Sequence, residues 1–212
     1  MEDYFEKMLE RLSKIKPKTD AEMAEYEADK RRERAVELRG ESGIEMDRFS
    51  KPLIKDGRWE TLRQTLVSKL GTGLMCALVG VRGNGKTQLG VEIIRAATEK
   101  GWTGYLVRST RLMMRIKGAI NSSGSPEDVI EEYIGYRVLV IDEIEKGIGT
   151  GYESQMFFEL LVSRSEKGTR RDTILISNET DEEAFRSVIG DSLGSRMNAN
   201  GGIIRCGWPS YR

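Results

Sequence analysis

Two patterns of apolar and polar residues alternate along most of the chain. From about residue 57 onward, short apolar runs of strand length are separated by segments in which apolar residues recur every three or four positions. The short runs predict buried strands, and the longer periodicity predicts amphipathic helices. The five predicted strands cover residues 74–79, 104–107, 138–141, 173–177 and 203–206.

This alternation predicts a three-layer α/β domain with a five-stranded parallel sheet. Parallel strands joined by helices have right-handed crossovers, which place helices on both faces of the sheet. Ligands of such sheets bind beyond the carboxyl ends of the strands. We therefore expect the functional residues to follow the ends of strands.

The first 50 residues have a different pattern, because they are dense in charge and almost free of glycine. Thr19 and Glu22 predict a capping box at the start of a helix that ends near Gly40. The basic cluster at residues 30–34 is predicted to be a solvated helix face. An earlier helix, ended by Pro17, is predicted to carry an apolar stripe that docks either on its own chain or on a partner. The stripe comprises Tyr4, Phe5, Met8, Leu9, Leu12 and Ile15.

Composition excludes several classes of function. The 34 basic and 34 acidic residues cancel, so contact with nucleic acid requires a local basic patch. The absence of histidine excludes histidine general bases and histidine-ligated metals. Cys76 and Cys206 lie in apolar runs, which predicts buried, reduced thiols. No apolar run has membrane-spanning length and the first residues are acidic, so we expect a cytoplasmic protein with no membrane partner.

A glycine-rich segment between the first strand and the next helix fits the phosphate-loop pattern G-x-x-x-x-G-K-[ST]. In this pattern backbone N–H groups hold phosphates, the lysine reaches the outer phosphates, and the hydroxyl ligates Mg²⁺. The sequence therefore predicts that ATP and Mg²⁺ are bound. The residues predicted to bind them in this segment are Gly80, Gly83, Asn84, Gly85, Lys86 and Thr87.

Polar residues after later strands predict the catalytic part of the same site. Asp142 is expected to complete the environment of Mg²⁺, and Glu143 to orient water for attack on the γ-phosphoryl group. Asn178 follows the fourth strand and can reach that water, although an Asx turn is an alternative. Arg196 is a candidate for the cation that reaches a neighbouring subunit's nucleotide, and an ordinary surface arginine is the alternative.

Five segments together resemble the DnaC family of bacterial and phage replicative helicase loaders, which are AAA+ ATPases. The resemblance implies an AAA+ P-loop ATPase core at residues 51–212, with no C-terminal helical lid, and a helical N-terminal extension at residues 1–50. It also implies ATP hydrolysis during DNA replication initiation. The segments are residues 83–87, 140–144, 176–178, 195–197 and 208–212.

The resemblance further implies partners. The apolar stripe, through Phe5, Met8, Leu9 and Leu12, is expected to bind a DnaB-type hexameric helicase. Arg111 and Arg115 are expected to face single-stranded DNA from a helix after the second strand, although an ordinary surface helix is the alternative. The ATPase domains are expected to self-associate so that Arg196 acts in trans.

Two other functions fit the same residues. A transposition helper ATPase of the IstB type shares the ATPase core and a similar Ser-Tyr-Arg ending, so the core alone leaves that choice open and the partner of the N-terminal region decides it. A non-hydrolysing adaptor that binds nucleotide and a helicase is the second alternative, and DNA-stimulated hydrolysis distinguishes it from the two ATPases.

Overall fold

The computed structural model describes residues 19–51, 54–120, 124–149, 151–166 and 170–211. The predicted partner-binding residues Phe5, Met8, Leu9 and Leu12 lie outside these ranges, so their role stays a prediction.

A parallel sheet forms the centre of the molecule, as the alternating pattern predicts. Its order is β2-β3-β4-β1-β5, so β1 lies between β4 and β5 and chain-order neighbours are separated by crossovers. The four pairs of neighbouring strands are all parallel. The strands are β1 at Met75–Val79, β2 at Gly104–Arg108, β3 at Val138–Asp142, β4 at Asp172–Ser177 and β5 at Gly201–Arg205.

Helices cover both faces of this sheet. In chain order, α1 is Asp20–Gly40, α2 is Gly57–Ser68, α3 is Lys86–Glu99, α4 is Ser109–Ile120 and α5 is Pro126–Gly135. They are followed by α6 at Ile144–Gly147, α7 at Tyr152–Ser165, α8 at Glu182–Ile189 and α9 at Asp191–Asn200. A short 3-10 helix lies at Met46–Ser50.

The strands divide their side chains between two apolar cores, because successive residues of a strand point to opposite faces. Met75 and Ala77 enter a core shared with α4, α5, α7, α8 and α9. Cys76 and Leu78 enter a second core shared with α2, α3 and the 3-10 helix. The sheet is therefore buried on both faces, which is why its strands are continuous apolar runs without alternation.

Helix α1 begins and packs as its sequence indicates. Thr19 and Glu22 form the predicted capping box, with the Glu22 carboxylate accepting from the Thr19 N–H at 2.7 Å. Ala35 and Leu38 are buried, whereas the basic cluster at residues 30–34 is exposed. Arg39 donates to the carboxylate of Glu99 on α3 at 2.8 Å. The second half of α1 thus lies against the α/β domain.

The end of the described chain is extended. After α9, residues 201–211 form β5 and a non-helical segment, so a helical lid is absent from this part of the chain. Cys76 and Cys206 are buried free thiols, as predicted. Burial raises the pKa of Cys76 to about 12 and that of Cys206 to about 11. Among the described helices, none combines the length and the apolar character needed to cross a bilayer.

Candidate nucleotide site

The glycine-rich loop, residues 80–85, connects β1 to α3, which begins with Lys86 and Thr87. Gly80 and Gly85 have φ angles of 146° and 84°, which side chains with a Cβ rarely adopt. A Cβ at Gly80 would also lie 2.7 Å from the carbonyl oxygen of Cys206. Glycine is therefore required at Gly80 for two reasons, the backbone angle and the close approach of the chain that follows β5.

Lys86 is buried at the start of α3. Its Nζ atom donates to the carbonyl oxygens of Gly80 at 2.6 Å and Val81 at 2.9 Å, and to Asn84 Oδ1 at 3.1 Å. Burial lowers the pKa of Lys86, an effect opposed chiefly by the nearby Cys206 and Asp142 groups. The ammonium group is thus held at the mouth of the loop, where the pattern predicts contact with phosphates.

Thr87 and Asp142 meet across the carboxyl edge of the sheet. The Thr87 hydroxyl donates to Asp142 Oδ2 at 2.8 Å, and the N–H of Glu143 donates to Asp142 Oδ1 at 2.9 Å. Burial raises the pKa of Asp142, although these two hydrogen bonds oppose the rise. A buried carboxylate beside a hydroxyl offers hard oxygen ligands, so this pair fits Mg²⁺.

Glu143 occupies a strained position immediately after β3. Its φ angle is 55°, in the left-handed region that side chains other than glycine seldom adopt. The Ser109 hydroxyl donates to its carbonyl oxygen at 2.6 Å, and its carboxylate pairs with Lys146 at 2.8 Å. Such strain persists where the surroundings hold the backbone, and it is concentrated at functional sites.

Asn178 is held by a residue that the sequence analysis missed. The Glu145 carboxylate accepts from Asn178 Nδ2 at 2.7 Å, from the Asn178 N–H at 3.3 Å and from the Ser177 hydroxyl at 2.9 Å. These bonds lower the pKa of Glu145 even though its partial burial acts in the opposite direction. The available signal was a third acidic residue close behind the Asp142-Glu143 pair.

One cavity of about 280 Å³ collects most of the predicted site. It brings together the loop, the acidic pair and Asn178, as the positions of these residues after successive strands predict. Arg48 and Arg82 line it as well and were not singled out from sequence. The predicted residues on its wall are Gly83, Asn84, Gly85, Lys86, Thr87, Asp142, Glu143 and Asn178.

Arg196 does not line this cavity. It is exposed on α9, and its Nη1 atom lies 3.5 Å from the hydroxyl of Ser165. An exposed arginine outside its own chain's cavity is compatible with action on a neighbouring subunit, and that role stays a prediction.

The two predicted DNA-contact arginines have different surroundings. Arg111 is exposed and lines a groove of about 690 Å³ between residues 43–51 and α4. Arg115 donates to Glu132 at 2.7 Å and to the Tyr133 hydroxyl at 3.0 Å, and the bond to Glu132 raises its pKa. On the same helix Leu112, Met113 and Ile116 are buried, whereas Ile120 at the helix end is 53% exposed.

Sequence comparisons agree with a nucleotide site at this position. A family model described as IstB-like ATP binding protein matches residues 70–197. The ATP-binding protein of insertion sequence IS232 from Bacillus thuringiensis subsp. berliner is 33% identical over 138 residues. That alignment covers 63% of this chain and 54% of the relative, so the chain spans about half the length of the curated relative it matches.

Solved structures with the same fold include proteins of DNA replication. A DnaC helicase loader superposes with a TM-score of 0.61 at 19% identity, covering 73% of this chain and 91% of that chain. DnaI gives 0.58 at 20% identity, covering 82% and 92%. AMPPCP-bound DnaA from Aquifex aeolicus gives 0.61 at 16% identity, covering 74% and 49%. These likenesses confirm the predicted α/β fold of AAA+ P-loop ATPases.

Proposed function

The chain belongs to the IstB-like ATP-binding protein family, and we propose that it hydrolyses ATP to ADP and phosphate in support of a DNA-processing partner. The observation that carries this proposal is the convergence of Lys86, Thr87, Asp142, Glu143 and Asn178 on one cavity. A phosphate loop, a pair of hard oxygen ligands and a further carboxylate are the groups that γ-phosphoryl transfer to water requires.

Each side chain has a distinct task in this proposal. Lys86 and the loop N–H groups bind the phosphates, and Thr87 and Asp142 would hold Mg²⁺, which neutralises charge on the outer phosphates. Glu143 orients water and accepts its proton, because its carboxylate lies at the cavity wall and is not committed to the metal pair. Its ion pair with Lys146 must open or shift for this role.

Glu145 acts through Asn178 in this scheme. Two of the contacts from Glu145 orient Asn178, one to its amide side chain and one to its backbone N–H. The Asn178 amide therefore has a fixed orientation at the wall of the cavity, which favours it over the Asx-turn alternative for sensing the γ-phosphate. Glu145 is a positioning residue.

Self-association through the ATPase domain completes the proposed site. Hydrolysis benefits from a cation at the developing charge. Arg196 is exposed on α9, away from its own cavity, so a neighbouring copy is the site that it could serve. Combining Arg196→Ala and Lys86→Ala proteins tests this, because each variant retains the group that the other lacks. Recovered hydrolysis supports action in trans, whereas its absence in co-assembled oligomers contradicts it.

We propose that DNA binds along the groove between residues 43–51 and α4. Four cationic side chains line it, against one acidic residue, Glu45, so it supplies the local basic patch that a neutral chain needs. Arg111 is the leading contact, and Arg115 can reach DNA only by releasing Glu132. Arg48 lines both this groove and the nucleotide cavity, which gives DNA a route to influence hydrolysis. The cations are Arg48, Lys51, Arg108 and Arg111.

The identity of the partner protein has two candidates. A transposition helper is favoured by the 33% identical relative, which is encoded by an insertion sequence. A loader of a DnaB-type replicative helicase is favoured by the resemblance of residues 195–197 to the loader family. We place the helper first, since it rests on an aligned sequence comparison, and we propose a cytoplasmic location for either role.

Two measurements test these proposals on the full chain. Phosphate release from Mg²⁺-ATP is measured with and without single-stranded DNA, with Lys86→Ala as the variant that cannot bind nucleotide. We expect hydrolysis that DNA stimulates, and ATP binding without turnover would support the non-hydrolysing adaptor. Purified transposase and purified hexameric helicase are then compared as binding partners. Retention of the helicase alone would overturn the helper assignment in favour of the loader.

A further inference from the structure

The outer surface of the phosphate loop is held by hydrogen bonds from two distant parts of the chain. A loop that turns its N–H groups toward phosphates must turn carbonyl oxygens outward, and outward carbonyls in a buried loop need donors. Tyr211 N donates to the Gly83 carbonyl at 2.9 Å, and Trp208 Nε1 donates to the Asn84 carbonyl at 2.6 Å. Trp59 Nε1 donates to the Gly85 carbonyl at 3.2 Å as a second donor, since this oxygen also accepts the Leu89 N–H at 2.9 Å.

The first two donors belong to residues 206–211, here named the strap, which follows β5. The Cys206 N–H donates to the Val79 carbonyl at 2.8 Å, so the strap starts as a continuation of the β5–β1 pairing. Trp208 is 6% exposed, and its indole packs in the core that contains α2 and α3. The strap is therefore anchored at both the sheet and the apolar core.

Asn84 connects the strap directly to the phosphate-binding lysine. Its side chain is fully buried, with Nδ2 donating to the Cys206 carbonyl at 2.7 Å. Its Oδ1 accepts from Lys86 Nζ at 3.1 Å. A displacement of the strap at Cys206 is thus transmitted through one side chain to the lysine ammonium.

The third donor, Trp59, lies on helix α2 and links the loop to the residue that caps this helix. Asp56 caps this helix by accepting from the Trp59 N–H at 3.3 Å, and its carboxylate interacts electrostatically with the Tyr211 side chain. The loop is therefore connected to Trp59, Trp59 to Asp56, Asp56 to Tyr211, and Tyr211 back to the loop. The indole N–H groups of Trp59 and Trp208 both donate to carbonyl oxygens of the loop. Apolar packing of the two rings alone does not require these hydrogen bonds.

We propose that Trp208 and Trp59 are positioning residues that set the phosphate cradle, and that nucleotide binding and strap docking stabilise each other. The loop can keep its N–H groups inward only while its outward carbonyls keep their donors, so the docked strap favours the phosphate-binding form. Linkage then requires that bound phosphates favour the docked strap to the same extent. This inference rests on the nucleotide site proposed above.

The variant Trp208→Phe tests the first half of this proposal, because it keeps an aromatic ring in the core and removes the N–H donor. Trp102→Phe is the matched control, since Trp102 precedes β2 at the opposite end of the sheet and stacks on Lys100 and Arg137. Isothermal titration with Mg²⁺-ATP is expected to give a Kd raised roughly three- to tenfold in Trp208→Phe. In Trp102→Phe we expect the wild-type Kd.

Steady-state kinetics separate positioning from a general loss of structure. The KM for ATP should rise with the Kd in Trp208→Phe while kcat changes little, because Glu143 and Asn178 follow β3 and β4, whereas the strap follows β5 and is bonded to the phosphate loop. Equal Kd values for the two tryptophan variants would overturn the proposal. A wild-type chain that binds no ATP would instead overturn the nucleotide site, so the two failures are distinguishable.

The proposed linkage between nucleotide binding and strap docking can be tested without a variant. Hydrogen exchange at the Tyr211 amide reports the bond to the Gly83 carbonyl in the wild-type chain. Saturating Mg²⁺-ADP is expected to slow this exchange several-fold more than it slows exchange at amides of β2. Exchange at Tyr211 that is unchanged by nucleotide would overturn the linkage even if Trp208→Phe failed to fold.

Discussion

Charged side chains are buried at both ends of the central sheet, but only at the carboxyl ends of the strands do they face a cavity. At the amino ends, Arg164 is 1% exposed, and its guanidinium donates hydrogen bonds to uncharged oxygen atoms. These are the carbonyl oxygens of Tyr133, Ile134, Tyr136 and Asp172 and the hydroxyl of Thr173. At the carboxyl ends, Lys86, Asp142 and Glu143 line a cavity.

Asp172 repeats this pattern at the amino ends with the opposite charge. Its carboxylate accepts the backbone N–H groups of Gly71, Gly73 and Leu74 at 2.6 to 3.1 Å. Burial raises the pKa of Asp172, and these bonds oppose the rise. Charges satisfied by backbone groups serve structure, whereas charges that face a cavity and each other are available to a ligand.

The largest effect that tests this difference is expected for Arg164→Met. Removing the guanidinium leaves several buried carbonyl oxygens without donors, so we expect the free energy of unfolding to fall by about 3 kcal/mol or more. Denaturant unfolding measures it. Arg32→Met on exposed α1 is the control, and its expected change is below about 0.5 kcal/mol. Equal losses in the two variants would remove the structural role of Arg164.

The carboxyl end of the sheet, where we propose hydrolysis, is expected to respond in rate and not in stability. In Glu143→Gln, hydrolysis should fall by roughly two powers of ten or more, while ATP affinity and the melting temperature stay near wild type, because proton acceptance is lost and shape is kept. Phosphate release and calorimetry measure the two quantities. Glu159→Gln, on the exposed side of α7, should match wild type. Near-normal turnover in Glu143→Gln would exclude Glu143 as the base.

Helix α4 shows a similar contrast between Arg115, which is paired with Glu132, and the exposed Arg111. Arg111→Ala is expected to weaken single-stranded DNA binding about three- to tenfold and to flatten its salt dependence, because a phosphate contact is lost. Arg115→Ala is expected to lower stability by about 1 kcal/mol with little change in DNA affinity, since Arg115 holds Glu132. Fluorescence anisotropy at several salt concentrations measures binding. A larger DNA effect from Arg115→Ala would reverse the assignment.

The smallest effect is expected for Asp142→Asn, which removes the free-energy cost of burying an ionised carboxylate. Because the folded pKa of Asp142 is raised, ionisation at neutral pH opposes folding, and its contribution to stability is lost as pH rises through that pKa. Asp142→Asn should therefore increase the free energy of unfolding by about 1 kcal/mol at pH 7 without Mg²⁺ or nucleotide. The gain should shrink as pH falls toward the usual range of aspartate. A pH-independent difference would contradict this explanation.

The sequence predicted the sheet because parallel strands buried on both faces are continuous apolar runs. The five predicted strands differ from the observed ones by at most two residues at either end, the largest shift being in β5, which starts at Gly201. The cradle was predictable for a similar reason, since Gly80 and Lys86 follow a spacing dictated by phosphate geometry.

Contacts between segments distant in sequence were not predictable in the same way. Glu145 reaches Asn178 across 33 positions, and Arg115 reaches Glu132 across 17, so no local periodicity reports either pair. Arg164 carries no motif at all, because four of its acceptors are backbone oxygen atoms whose positions depend on the finished fold.

The segment between α1 and the 3-10 helix has a consequence for how this protein can be shortened. The Leu106 N–H donates to the Ser42 carbonyl at 2.9 Å, and Ile44 and Phe49 fill the core with α3. A fragment that begins at residue 51 would uncover the outer side of β2, and an unpaired strand edge next to exposed apolar residues promotes aggregation. Soluble fragments for crystallisation should therefore start before Ala35, so that the buried half of α1 is retained.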